Sequence, residues 1–119
     1  MEHVQLGVIE MRFAGLIWEN EPLSSGELVK LCAKELSWKK STTYTVLRKL
    51  CDRGLFQNRD GVVTSLISRK ELLFLQGESF LDEHFNGSLP AFLTAFSDRR
   101  KLTQEEIIQL QQLIDSQRG

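Results

Sequence analysis

The sequence predicts a mostly α-helical protein with one small β-hairpin. Three features of the chain carry that reading. Apolar residues recur at helical spacing through most of its 119 residues. Two segments open on a Ser/Thr-x-x-Glu box, Ser24 to Glu27 and Thr103 to Glu106, which marks a helix N-terminus. One region, residues 55–67, loses the helical pattern and centres on Asp60-Gly61, a pair that readily supplies the positive φ angles of a tight hairpin.

Residues 5–19 place Leu6, Ile9, Phe13, Leu16 and Ile17 on one helical stripe, and residues 20–22 end that helix at a proline. The second helix starts with Ser24 as N-cap and Glu27 at the third helical position. Leu23 and Leu28 then occupy the two positions of a hydrophobic staple. This helix is expected to bury Leu28, Leu31, Cys32 and Leu36. The third follows after only four residues, with Ser41 as the expected N-cap and Gly54 in the left-handed position beyond its end. Thr43, Leu47, Leu50 and Cys51 fall on one side of it; Ser41, Thr42, Thr45, Lys49, Asp52 and Arg53 fall on the other.

Residues 55–58 and 62–67 are the two hairpin strands. Three helices and a hairpin in this order are the pattern of a winged helix-turn-helix domain, expected over residues 1–68. Residues 69–119 return to helix. Leu72, Leu73, Phe74, Phe80, Leu81 and Phe85 supply the first apolar surface, and Asn86-Gly87 stops it. A short helix over 88–97 carries Leu89, Phe92, Leu93 and Phe96, and a last helix after Thr103 carries Ile107, Leu110, Leu113 and Ile114. This C-terminal part is too apolar for a solvated arm and too short to enclose a core of its own. A second copy of the chain is the simplest cover, so the segment reads as a dimerisation arm.

Charge is distributed unevenly. The formal net charge is only -1. Residues 37–60 nevertheless carry six basic residues against two acids, a local balance of +4, while residues 69–119 carry six against eight. A locally basic surface on a near-neutral protein suits phosphate binding. Thr42 and Thr45 lie one turn apart near the start of the third helix, the end that reads bases in helix-turn-helix proteins. Each offers a hydroxyl for a base edge and a methyl for thymine. Ser41 and the free N–H groups beside it suit a phosphate oxygen, Lys39, Lys40 and Lys49 flank the groove, and Arg59 at the hairpin tip reaches a further phosphate or the minor groove.

Other classes find little support. The chain has no GxSxG, HExxH or glycine-rich phosphate loop, so no enzyme is expected. Cys32 and Cys51 sit outside any Cys/His cluster and read as free thiols; His3 and His84 have no partner at metal spacing, so no metal and no cofactor is expected. No apolar run spans a membrane and the start is not a secretion signal, which points to the cytoplasm. The alternative reading is a winged-helix protein-interaction module that does not bind DNA, for which a neutral third helix would be the support.

The chain resembles the penicillinase-repressor family of bacterial transcription regulators. The resemblance rests on the first-helix end LIWEN, on SWKKSTTYTVLRKLCDRGLF, on the Asp-Gly hairpin, and on SFLDEHFNGSLPAFLTAF followed by LTQEEIIQLQQLI. It implies a homodimeric repressor on a palindromic double-stranded DNA operator. Ser41, Thr42, Tyr44 and Thr45 would take the base- and phosphate-contacting positions. Phe80, Phe85, Leu89, Phe92, Phe96, Ile107, Leu110 and Ile114 would take the dimer positions. The chain departs from the family pattern in three places. Lys39-Lys40 stand where members often have Ser-Pro, and the cysteine-rich tail of the copper-responsive branch is absent. Where the antibiotic-responsive branch is cut by a sensor protease at Asn-Phe, Ala95-Phe96 stand here.

Overall fold

The computed structural model describes residues 4–119; His3 lies outside them. The elements run α1 (Val8–Asn20), β1 (Leu23–Ser24), α2 (Ser25–Leu36), α3 (Lys40–Asp52), β2 (Phe56–Arg59), β3 (Val62–Ser65), α4 (Arg69–Phe85), α5 (Leu89–Ser97) and α6 (Gln104–Arg118). The chain divides into two compact units, one ending at Ser79 and the other running Phe80–Gly119. A winged helix-turn-helix followed by C-terminal helices is therefore the architecture.

In the first unit each helix is set by local chemistry. Ser24 accepts a hydrogen bond from the Glu27 N–H at 3.0 Å, and the Glu27 carboxylate accepts the Ser24 N–H at 3.0 Å. Leu23 and Leu28, the staple pair, are both buried. Gly54 has φ 79° beyond the end of α3, and its N–H donates to the Cys51 carbonyl at 2.9 Å. A side chain there would be strained by the backbone alone.

α3 begins earlier than the sequence suggests. Its N-cap is Lys39, not Ser41, and no side chain caps it. Ser37, at the end of α2, takes a left-handed conformation (φ 58°), so the turn is complete within three residues and the helix starts at Lys40. Ser41 becomes the second helical residue.

The sheet has three antiparallel strands in the order β1-β3-β2. β1 is a two-residue strand that the sequence reading missed; it pairs Leu23 with Val63 and Ser24 with Val62. β2 pairs Phe56 with Ser65 through Arg59 with Val62, around a turn in which Asp60 and Gly61 have φ 54° and 82°. β3 ends at Ser65, two residues before the expected Ile67. The Leu66 N–H still donates to the Leu55 carbonyl at 2.9 Å, but the Ile67 carbonyl accepts the Trp18 indole N–H of α1 at 2.9 Å instead of a strand partner.

The core of this unit gathers Phe13, Ile17, Leu28, Cys32, Leu47, Leu50, Leu55, Phe56, Val63 and Leu72. Phe13 stacks on Trp38 and Trp18 tilts on Phe56, with centroids 5.4 and 5.7 Å apart. Of the expected α1 stripe, Ile9 is exposed, because α1 starts three residues later than the periodicity implied and Ile9 lies in its first turn.

In the second unit Ser88 caps α5 through the Ala91 N–H, and Thr103 caps α6 in a reciprocal box with Glu106. Phe92 makes edge contacts to Phe80 and Phe85. No residue of α5 or α6 is buried.

Candidate nucleic-acid interface

α3 presents its polar side to solvent and its apolar side to the core. Thr43, Leu47 and Leu50 are buried. Thr43 keeps its hydroxyl satisfied inside by donating to the Lys39 carbonyl at 3.3 Å. Ser41, Thr42, Thr45, Arg48, Lys49 and Asp52 are exposed along the opposite side. The N–H groups of Lys40, Ser41 and Thr42 precede the first helical bond and so have no partner within the helix, and no side chain caps them at its positive end.

The expected contact residues differ in what they are free to do. Thr42 is exposed, and its hydroxyl makes no hydrogen bond among the described residues. Thr45 donates its hydroxyl proton to the Ser41 carbonyl at 2.9 Å, which leaves oxygen lone pairs and a methyl for a groove. Tyr44 is half-buried, and its hydroxyl donates to Ser25 Oγ at 3.1 Å, so its ring bridges α3 to the start of α2. Arg59 is exposed at the end of β2, beside the hairpin turn.

The cations separate into two sets. Lys39, Lys40, Arg48 and Arg59 are exposed and make no ion pair within the described residues. The other two are engaged with the N-terminal segment. The Lys49 ammonium lies 3.0 Å from the Glu10 carboxylate, and the Arg53 guanidinium donates to the Gln5 carbonyl at 3.1 Å. Glu10 also accepts the Gly7 N–H at 3.1 Å, the first of the contacts that hold its pKa below the usual carboxylate value. Thr45, Arg48, Lys49, Asp52 and Arg53 line an open concavity of about 410 Å³ along the helix. Arg48 was not among the expected contact residues. Its position about 20° from Ser41 on a 100° helical projection was the available signal.

The remaining polar chemistry is sparse. Cys32 is buried and Cys51 half-buried, both free, and burial raises the pKa of each thiol. His84 is exposed. Among the described residues no cluster of three or more His, Cys, Asp or Glu has metal-binding geometry, and no helix is long and apolar enough to cross a membrane.

A basic, hydroxyl-rich third helix beside a β-wing, followed by C-terminal helices, is what the sequence resemblance implied. The model of the penicillinase repressor family matches residues 6–116. The chain belongs to that family. It is 26% identical over 119 residues to the penicillinase repressor of Bacillus licheniformis, covering 97% of this chain and 93% of the relative. It is 18% identical over 115 residues to the methicillin resistance regulatory protein MecI of Staphylococcus aureus, covering 93% and 94%. The likeness therefore includes both units, not the winged helix alone.

Proposed function

We propose that the protein is a transcriptional repressor that binds duplex operator DNA through α3 and the wing, as a homodimer joined by its C-terminal helices. One observation supports this most. Three cations without an ion pair among the described residues, Lys39, Lys40 and Arg48, lie on α3 or at its N-cap with the exposed Ser41, Thr42 and Thr45, and a fourth, Arg59, is exposed beside the hairpin turn. Family membership and the names of the two relatives support repression, with resistance genes as the regulated class.

In this reading the cations and the first-turn N–H groups fix the helix on the phosphates, and Thr42 and Thr45 read base edges. Thr45, with its proton engaged, offers an acceptor and so favours the amino groups of adenine or cytosine in the major groove. Relief follows from cleavage by a sensor protease at Ala95–Phe96, both exposed in the last turns of α5, which would detach α6 from the chain.

The test is binding of random and operator-like duplexes across a salt series. Four phosphate contacts per half-site give a slope of log affinity against log salt of about -3.6. Lys40→Gln is expected to weaken binding to all sequences alike and to flatten the slope by about 0.9. Thr45→Ala is expected to change which sequence is preferred. Undetectable or salt-independent binding by the wild type would overturn the reading.

A further inference from the structure

Lys49 has the position of a phosphate contact but not the freedom of one. It projects from the exposed side of α3, one turn beyond Thr45. Its ammonium is already 3.0 Å from Glu10, a residue of α1. That carboxylate cannot easily follow Lys49 outward, because its other oxygen accepts the Gly7 N–H at 3.1 Å and anchors the first turn of α1. Glu10 is also the less exposed partner, its side chain 22% accessible against 52% for Lys49. A phosphate that recruits Lys49 must therefore either break the pair or accept a fixed carboxylate beside it, and both oppose binding.

We infer that Glu10 is a positioning residue that withholds Lys49 from the DNA backbone and so lowers the sequence-independent part of DNA affinity. Phosphate attraction supplies most of non-specific binding, whereas base contacts supply discrimination. Holding back one cation per protomer weakens binding to every duplex alike and leaves readout by Thr42 and Thr45 intact. The inference rests on the DNA-binding reading above, and it assigns Glu10 a part in setting how tightly that same face grips DNA.

The experiment is a double-mutant cycle on the full chain with random-sequence duplex DNA, read as affinity across a salt series. Glu10→Gln keeps an oxygen that can accept the Gly7 N–H while removing the charge. It is expected to tighten binding about two- to fivefold per half-site, the range of an exposed ion pair, and to steepen the salt slope by about 0.9 as Lys49 gains a phosphate. Lys49→Gln alone is expected to change affinity less than twofold and leave the slope unaltered, in contrast to Lys40→Gln. Glu10→Gln in the Lys49→Gln background is expected to gain almost nothing. An equal gain in that background would mean that Glu10 merely repels phosphate, and would overturn the inference. So would weaker binding by Glu10→Gln, or a Lys49→Gln variant that loses as much slope as Lys40→Gln. The Lys49→Gln arm does not depend on Glu10→Gln folding. Failure of the wild type to bind any duplex would remove the DNA-binding reading and this inference together; binding with an unmoved cycle would remove this inference alone.

Discussion

The two units use the same local devices and reach different ends. Each contains a reciprocal Ser/Thr–Glu capping box, at Ser24 and at Thr103, and each has helices with apolar stripes. Yet Phe13, Ile17, Leu28, Leu50 and Leu72 are wholly inaccessible, while Leu89, Phe96, Ile107, Leu113 and Ile114 remain 43% to 56% exposed. Caps and periodicity decide whether a helix forms; closure of a core is a collective property that needs enough chain to surround it. The sheet is what closes the first unit, because Val63 and Phe56 cover the apolar sides of α1 to α3. The second unit has helices alone, in about 40 residues, and its apolar surface stays open. Stability in the first unit should thus belong to the single chain, and in the second to the concentration of a partner copy.

The largest expected effect tests the closed unit. Phe13→Ala removes a fully buried ring that stacks on Trp38. Its loss is expected to cost about 3–5 kcal/mol of unfolding free energy. Urea unfolding monitored by tryptophan fluorescence measures it, and the cost should not depend on protein concentration. A loss below about 1 kcal/mol would mean that this core is not a closed body.

Next is the open unit. Ile114→Glu places a charge on the exposed apolar side of α6, a helix that buries none of its residues. If that side meets a second copy, the dimer dissociation constant is expected to rise at least about thirtyfold, equivalent to about 2 kcal/mol. Sedimentation from micromolar downward would show it, with the winged unit still folded. An unchanged dimer, or a wild type that is monomeric at these concentrations, would remove α6 from the interface.

What the sequence disclosed follows the same division. Locally encoded features were readable: both capping boxes, the Ser88 cap's helix, Gly54 in its left-handed position, the Asp60-Gly61 turn and the inward-facing Thr43. Family membership was readable too, from the order of several weak motifs. Features that depend on distant partners were not. β1 is two residues long, too short for alternation, and exists because Val62 and Val63 offer it a partner. The Lys39 cap depends on how tightly α2 ends at Ser37, and Ser41 looked the better cap on side chain alone. The exposed polar side of α3 was legible by angle. Its division into free and engaged cations was not, because Glu10 is 39 positions from Lys49 in the sequence.

The capping boxes permit a smaller comparison. Ser24→Ala and Thr103→Ala each remove one side-chain acceptor from a third-position N–H, at about 1 kcal/mol apiece. The chemistry is matched, so the readouts should differ only through closure. Ser24→Ala is expected to lower the urea midpoint of the winged unit at any protein concentration. Thr103→Ala is expected to appear chiefly as a weaker dimer, with the winged unit's midpoint unchanged. Equal shifts of one midpoint by both variants would mean that the chain unfolds as a single cooperative body.

The smallest expected effect is one of pH. Glu106 accepts two hydrogen bonds from the Arg100 guanidinium, at 2.8 and 3.2 Å, and one from the Thr103 N–H. Arg100 first, then the Thr103 N–H, lowers its pKa from 4.5 to about 2. A carboxylate depressed in the folded state stabilises that state above its ordinary pKa, and the contribution is lost as pH falls through the folded value. The α5–α6 corner is therefore expected to loosen between about pH 5 and pH 2. Amide signals of residues 102–107 should shift and broaden there before those of Val63 do. Glu106→Gln, which can still accept the Thr103 N–H, should lack the pH-dependent component. Because the pair is solvent-exposed, added salt should shrink the effect. A wild type and a Glu106→Gln variant that respond alike over this interval would show that the corner is held by its helix caps and by Arg100 lying 4.9 Å over Phe96, with the ion pair contributing nothing.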